Sequence, residues 1–580
     1  MAVLMVLDGT RDEAQKPTAR AQARPQEARN VTHRVYEGRE LSLALRGDAM
    51  RKTDPHTFAI TGLAATLFTR PAKDDPESRR IDIAAHAGTY DESTGLLELS
   101  GGTHLSSEDQ DDLVSESLTI DRHLTIDSAT RPATTLRTDQ SFVLTRPRMT
   151  VTGEGFQADE QFENIKVHRH GRVKLHGEPK AAMGRATGAP PSTMETILQT
   201  PGGMTITKET GPDPLITLVM PQDCTMEETD EKGKRSHLTA GRATFVAMEI
   251  PDPQNPAKKV LQITQMKASG NVQLTGAEDE RALCEQLVWK RAAHEANREN
   301  EKTFTLLEGG RGTVFIKQQN NEVTAQQVRV DNNRNVATCT GNVRANLRRT
   351  PEDDLTHVAA ESLIMEGRPR ASAPAAGPDV TFDADHLIVR ARRKAVLSTP
   401  QIHIESPTIG FDLATGTSVI GGPKIFHMTP KDKEPMKITC DGIAVMDREA
   451  RIIQMERRVR MVGPAFTLES DRTLITLDET GNEMKRLRAR GNVTLRQKAG
   501  ERITCEAIDY DPATEEMLVI GFPTASIRRG RSDMICEKAT LNAREQKLET
   551  HRTKNLIRIR LPRTPQGAGG SPPSQNSPPR

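Results

Sequence analysis

The sequence predicts an all-β protein, an extended antiparallel rolled sheet made of repeats with an apolar groove along its length. A repeated phrase is the first reason. Val323-Thr324-Ala325-Gln326-Gln327-Val328-Arg329-Val330-Asp331 shares its layout with Ile438-Thr439-Cys440-Asp441-Gly442-Ile443-Ala444-Val445-Met446 and Ile503-Thr504-Cys505-Glu506-Ala507-Ile508-Asp509-Tyr510-Asp511. Apolar residues alternate before and after a small residue, but the apolar phase slips by one across it. A bulge or corner at that point reconciles the two halves. The second reason is another phrase lying between copies of the first: Gly270-Asn271-Val272, Gly341-Asn342-Val343 and Gly491-Asn492-Val493. Glycine followed by asparagine inside a strand pattern marks a bulge or tight bend. Composition is the third. Hydrophobic residues make up 35% and aromatic residues 3% of 580 residues, which suits a thin β structure with a narrow apolar face better than a large compact core.

Looser copies of the first phrase centre on Ser115-Glu116-Ser117-Leu118, Cys284-Glu285-Gln286-Leu287, Ala360-Glu361-Ser362-Leu363, Ala384-Asp385-His386-Leu387 and Cys536-Glu537-Lys538-Ala539. Repetition at this scale has to be read before any single motif. The glycines of the second phrase are spaced 341 − 270 = 71 and 491 − 341 = 150 residues apart, the second close to double the first.

The chain is long enough for about two to four domains. Residues 1–30 read as a flexible leader, and a β pattern begins near 31. Within it, Glu92-Ser93-Thr94-Gly95 is a hairpin turn with a glycine free to take positive φ. Residues 178–195, rich in Pro, Gly and Ala, read as a linker between one β domain at 31–177 and a second at 196–561. A sub-boundary is expected at 367–378, and 562–580 is disordered by composition.

Lys+Arg 80 against Asp+Glu 79 gives no bulk charge that would draw nucleic acid. There are six cysteines, and Cys284, Cys440, Cys505 and Cys536 fall where other copies carry Ala or Ser, so they read as small core residues rather than metal ligands. His168-Arg169-His170 puts two imidazoles on one face, yet no third ligand is evident. The acidic residue of the repeat (Glu116, Glu285, Glu361, Asp441, Glu506, Glu537) recurs at nearly every copy, whereas a catalytic carboxylate pair occurs once. A structural role is therefore expected, with no catalytic residue, metal or cofactor.

With these phrases in view, the chain resembles the periplasmic lipopolysaccharide-transport proteins with the OstA-like β-jellyroll, LptA and LptC. Residues from about 195 to 561 resemble LptA. Residues 31–177 are similar to LptC, through Ala84-Ala85-His86-Ala87-Gly88-Thr89-Tyr90-Asp91, Leu97-Glu98-Leu99-Ser100-Gly101-Gly102, Leu113-Val114-Ser115-Glu116-Ser117-Leu118 and Val151-Thr152-Gly153-Glu154-Gly155-Phe156. The resemblance implies a β-jellyroll that takes lipopolysaccharide acyl chains into its groove and passes the glycolipid from inner to outer membrane. It implies no chemistry of its own. The implied partners are an inner-membrane ABC transporter complex and an outer-membrane LptD-like protein, and the implied location is the periplasm, with inner-membrane association. LptC-type proteins usually start with a membrane-spanning helix. The apolar run Met1–Leu7 is shorter than the roughly 20 residues a span needs, so the chain departs from the pattern there.

The groove candidates are the apolar residues after the small position and after Gly-Asn: Val328, Val330, Val343, Leu363, Met365, Ile443, Val445, Val493, Leu495, Ile508 and Tyr510. Two other readings fit a β-repeat chain. One is a structural β-helix or surface-layer protein with a dry core; the other is a carbohydrate-active β-helix enzyme with one carboxylate-lined cleft.

Overall fold

The computed structural model describes residues 27–37, 40–69, 79–122, 134–176, 195–209, 214–229, 235–251, 259–276, 280–290, 304–331, 335–348, 350–367, 387–429, 434–479, 483–530, 532–542, 547–551 and 556–559. Regular structure among them is entirely β, as expected, and the pairings given for them are antiparallel. The chain divides into two compact units, one running to Ala337 and the other starting at Thr338.

In the N-terminal unit the strands Glu27–Glu37 to Asn164–His176 form a meander in which each strand pairs with the next. Most are long and bent. Strand Arg80–Asp91 buries Ile81, Ile83 and Ala85, turns His86 and Ala87 outward, and then buries Gly88 and Tyr90. Its pairing with Leu96–Ser107 shifts register at the same point. That is the phase slip foreseen from the repeat, and it splits the meander into two layers joined by a corner.

The layers face each other. Phe142 and Phe156 belong to opposite layers, yet their ring centroids lie 4.9 Å apart. Gly153 comes so close to Val167 of the facing layer that a Cβ there would collide with it, and Gly171 stands in the same relation to Met204. Fully covered side chains such as Leu43, Leu97, Leu136 and Phe156 fill the space between the layers, each contributing about 1.5–3 kcal/mol by leaving water.

The two sequence phrases alternate for a geometric reason. Antiparallel neighbours cross one corner in opposite senses, so they cannot turn it with the same backbone. Strands crossing one way use the small-acidic phrase and turn two residues outward, as Glu116-Ser117 and Glu361-Ser362 do. Strands crossing the other way turn three outward, as in Leu96–Ser107 and Met484–Gln497. There the last two adopt left-handed backbone: Gly270 (φ 83°) and Asn271 (51°), Gly341 (79°) and Asn342 (48°), Gly491 (76°) and Asn492 (48°). Glycine takes that region freely and asparagine tolerates it. Gly101-Gly102, Arg393-Lys394 and Arg457-Arg458 make the same step without the Gly-Asn spelling.

The acidic residue of the repeat sits at this corner, next to the neighbouring strand's step. Glu361 pairs with Lys394 at 3.0 Å and Asp441 pairs with Arg458 at 2.5 Å; Asp471, which the sequence phrases do not include, stands at the same step of strand Phe466–Leu477 and accepts a hydrogen bond from Asn492 Nδ2 at 2.7 Å. Exposed pairs of this kind contribute little stability; they set which residues can stand side by side at the turn.

The expected division at 178–195 is not where the chain divides. Residues 178–194 lie outside the described residues. The strands on either side of them pair directly, Asn164–His176 with Glu195–Thr200 in one layer and with Met204–Lys208 in the other, and Lys174 bonds Glu195 at 2.8 Å. A composition break in a connecting segment therefore does not mark a break in the ladder. Glu27–Asn30, assigned to the leader, belong to the first strand. The sub-boundary, except Gly367, and the tail also lie outside the described residues.

The C-terminal unit repeats the plan from Thr356–Glu366 through Ser532–Asn542 and the short strands after it. Part of its ladder is made of short strands that each serve one layer. Ile402–Asp412, for example, pairs with Thr417–Gly421 at one end and Lys424–Met428 at the other.

Candidate functional site: the interior and its seam

Within each unit the interior is closed on one side by the hydrogen-bonded corner. On the other side the free tips of the layers meet and leave a seam. Nine of the eleven groove candidates point inward or partly inward. Val328, Val330, Val343, Leu363, Met365, Val493, Leu495 and Ile508 are each 3% exposed or less, and Tyr510 is half-buried. At the eight the space between the layers is filled, so the open groove expected from the sequence is closed there.

Ile443 and Val445 are corrections. Ile443 is 58% exposed, and Val445 lies on the outer face opposite Val419, itself 49% exposed. In this copy Cys440 is followed by three corner residues, Asp441, Gly442 and Ile443, so Ala444 and Met446 face inward instead. Both phases of Ile443-Ala444-Val445-Met446 are apolar, and alternation cannot tell them apart. Lys424 fills this corner from inside, donating from Nζ to the carbonyls of Ile420 (2.9 Å) and Gly442. Burial holds its ammonium below the usual lysine range, although Cys440 and Asp441 oppose that shift.

The six cysteines are free, and all but Cys505 are fully buried. Burial pushes the thiol of Cys224 up to about 11 and those of Cys284, Cys339 and Cys505 up to about 12. They behave as small apolar residues and are poor nucleophiles. His168, Arg169 and His170 stand exposed at the corner, with Arg169 3.7 Å from Glu154. Among the described residues no group of three or more His, Cys, Asp or Glu could hold a metal ion.

Tip-to-tip contacts across the seam are made by side chains, and the sequence reading missed them. In the N-terminal unit Arg146, at the tip of one layer, bonds Asp111 of its own layer through Nε at 2.8 Å and Nη2 at 3.4 Å. Through Nη1 it reaches the carbonyl of Phe162 in the facing layer at 3.2 Å. Arg146 and Asp111 are 12% and 4% exposed. Arg148 reaches Glu249 of the facing layer at 3.0 Å, and His33 crosses to Glu92 at 3.3 Å. In the C-terminal unit Arg448 lies over the ring of Phe411 and donates to Thr356 Oγ1 across the seam at 3.2 Å. A cleft of about 190 Å³ opens between the tips there, lined by Leu347, Asp353, Leu413 and Gly416 among others. Each of these seam residues occurs once, outside the repeated phrases, so no periodic signal could reveal them.

The interior also loosens toward the end of the ladder. Around strand Glu516–Arg529 the inward-facing Met517, Met534 and Leu541 are only half-buried. Fold and site together define a two-layer antiparallel β protein with an apolar interior behind a side-chain seam. No family model matches the chain, and no curated protein matches it. Among solved structures, the crystal structure of LptH, the LptA-homologous periplasmic component of the conserved lipopolysaccharide transport device from Pseudomonas aeruginosa, is matched at 14% identity and a TM-score of 0.21. The match covers 23% of this chain and 100% of that one. A likeness of that size carries no functional argument.

Proposed function

We propose that this protein is a periplasmic bridge for lipopolysaccharide, holding the acyl chains between its two layers while the sugar and phosphate headgroup stays in water at the seam. One observation carries the reading. Within each unit the apolar interior is shut by backbone pairing on the corner side, and the contacts found across the seam are side-chain contacts, so the layers can part without breaking the ladder. Acyl chains gain about 0.8 kcal/mol per buried methylene, enough for several chains to compete with the closed packing. The half-buried strands at the end of the ladder supply a place where chains could leave. The sequence resemblance to LptC and LptA supports the direction of travel, from an inner-membrane ABC transporter complex to an outer-membrane LptD-like protein. On this reading the chain does no covalent chemistry.

Photo-crosslinking to lipopolysaccharide tests the proposal, with a photoreactive residue at Val330 or Val493 and an outward control at Ile443. Labelling at the two buried positions and not at Ile443 is the expected result. Absence of labelling at both buried positions, whether or not Ile443 is labelled, leaves a scaffold with a dry core and overturns the transport reading; equal labelling at all three shows no preference for the interior and overturns it as well.

A further inference from the structure

The Arg146–Asp111 pair is deeply buried for an ion pair, at 12% and 4% exposed, and it sits at the seam, where the contacts between the layers are made by side chains. Each nitrogen of its guanidinium is engaged, Nε and Nη2 on the carboxylate and Nη1 on the facing layer through the Phe162 carbonyl. The Phe162 side chain is 1% exposed, and its ring stacks toward Phe156 at 6.3 Å, so the same turn that accepts the hydrogen bond also plugs the interior. Asp159 holds that turn in place, accepting from the amides of Glu163 (2.8 Å) and Asn164 (3.0 Å).

The surrounding charge is mixed. Glu163 is held above the usual carboxylate range by burial and by Asp159, against the opposing pull of Lys208, Arg79 and Arg146. Arg79 in turn pairs with Asp109. Arg146 is therefore a planar fork with a single carboxylate in it, at the rim of an apolar interior, with further cations close by. Carboxylates and phosphates both fit that fork bidentately, and a phosphate monoester brings the greater charge.

We propose that Arg146 is the latch of the N-terminal unit's seam, released when an anionic phosphate on an amphiphile takes its guanidinium from both Asp111 and the Phe162 carbonyl. Displacement frees the tip of strand Thr135–Arg146 from the 159–164 turn, Phe162 swings out, and the attached alkyl chain enters past Phe156 and Phe142. The phosphate is the key and the alkyl chain is the cargo. The proposal rests on the transport reading for the identity of the cargo; the latch itself does not depend on it.

The test is hydrogen–deuterium exchange on the full-length protein with dodecyl phosphate and uncharged dodecyl maltoside as probes. In the wild type, dodecyl phosphate should speed amide exchange in residues 107–112 and 159–164 about tenfold. Dodecyl maltoside should not, and exchange at the corner residues 138–141 should be unchanged by either. Asp111→Asn should open the same two tips without any ligand. Arg146→Lys should keep part of the phosphate response, because the charge remains while the fork is lost. The double variant R146M/D111L, which fills the space with apolar groups and leaves no orphaned charge, should stay folded and respond to neither probe.

Unchanged tip exchange in both Asp111→Asn and Arg146→Lys would overturn the latch. Equal responses of the wild type to the two probes would overturn release by phosphate. Opening by dodecyl phosphate together with failure of lipopolysaccharide to label Val330 would uphold the latch and sink the transport reading, so the two failures are told apart.

Discussion

Within each unit the corner and the seam bound the same two layers but are held by different physics. At the corner each strand carries its bend within its own backbone, and its neighbours' register shifts record the bend strand after strand. At the seam the contacts are single side chains reaching between tips, as Arg146, Arg148 and Arg448 do. A boundary built from repeated backbone geometry is rigid and must be maintained at every strand. One built from a few side chains can open in one place while the rest of the fold stands.

The largest expected effect tests whether the packing behind the seam is as demanding as a core. Phe156 is fully buried against Phe142 and Phe162, and Phe156→Ala should cost about 3–5 kcal/mol. Trp289 is the chain's single tryptophan, is 1% exposed and lies in the N-terminal unit, so its fluorescence during urea unfolding reads that unit. Phe522→Ala, at a side chain 85% exposed, should stay within about 0.5 kcal/mol of wild type. A loss below about 1 kcal/mol for Phe156→Ala would mean that the layers are already loosely packed behind the seam.

A smaller effect is expected at the corner. At Gly270 (φ 83°) the nearest atom to an added Cβ is the Cα of Gly241 at 3.4 Å, an ordinary contact. Gly270→Ala therefore isolates the backbone cost of left-handed geometry, about 1 kcal/mol. Asn271→Gly should be neutral or slightly stabilising, since asparagine already tolerates the region. Equal losses for both, read by Trp289, would show that the Asn271 side chain rather than the backbone holds this step.

This contrast also explains what could be read from the sequence. The corner was legible because its constraint recurs: a phase slip at Cys284-Glu285-Gln286-Leu287 and a left-handed pair at Gly270-Asn271 each reappear where the ladder crosses the bend again. Spelling could still hide it, as Arg393-Lys394 and Arg457-Arg458 show by taking the same backbone without glycine. The orientation of Ile443 and Val445 was illegible because both phases of Ile443-Ala444-Val445-Met446 are apolar, so alternation could not show that the corner runs one residue further in this copy. The seam was illegible for a different reason. Asp111, Arg146 and Phe162 come together only after the layers have folded onto each other, and each looks like an ordinary turn residue on its own.

The smallest expected effect lies at the first strand, where a seam contact is titratable. Burial holds His33 below its ordinary value of 6.5, and the Glu92 carboxylate offsets this only in part. Its ring stands among Phe58 and Tyr90 at 5.5 and 5.8 Å, and the Lys52 ammonium lies over the Phe58 ring at 5.6 Å. A folded-state pKa below that of the unfolded chain means the unfolded chain binds a proton that the folded chain refuses. Stability is therefore fully present above about pH 6.5, falls as the pH drops through that value, and levels off once the pH is below the folded-state pKa. His33→Gln should remove this dependence in exchange measurements on strand Glu27–Glu37 while leaving the Arg146 seam unaffected. Should the wild-type strand instead become more protected on acidification, the His33–Glu92 ion pair would outweigh desolvation, and this crossing would be held by charge as the Arg146 crossing is.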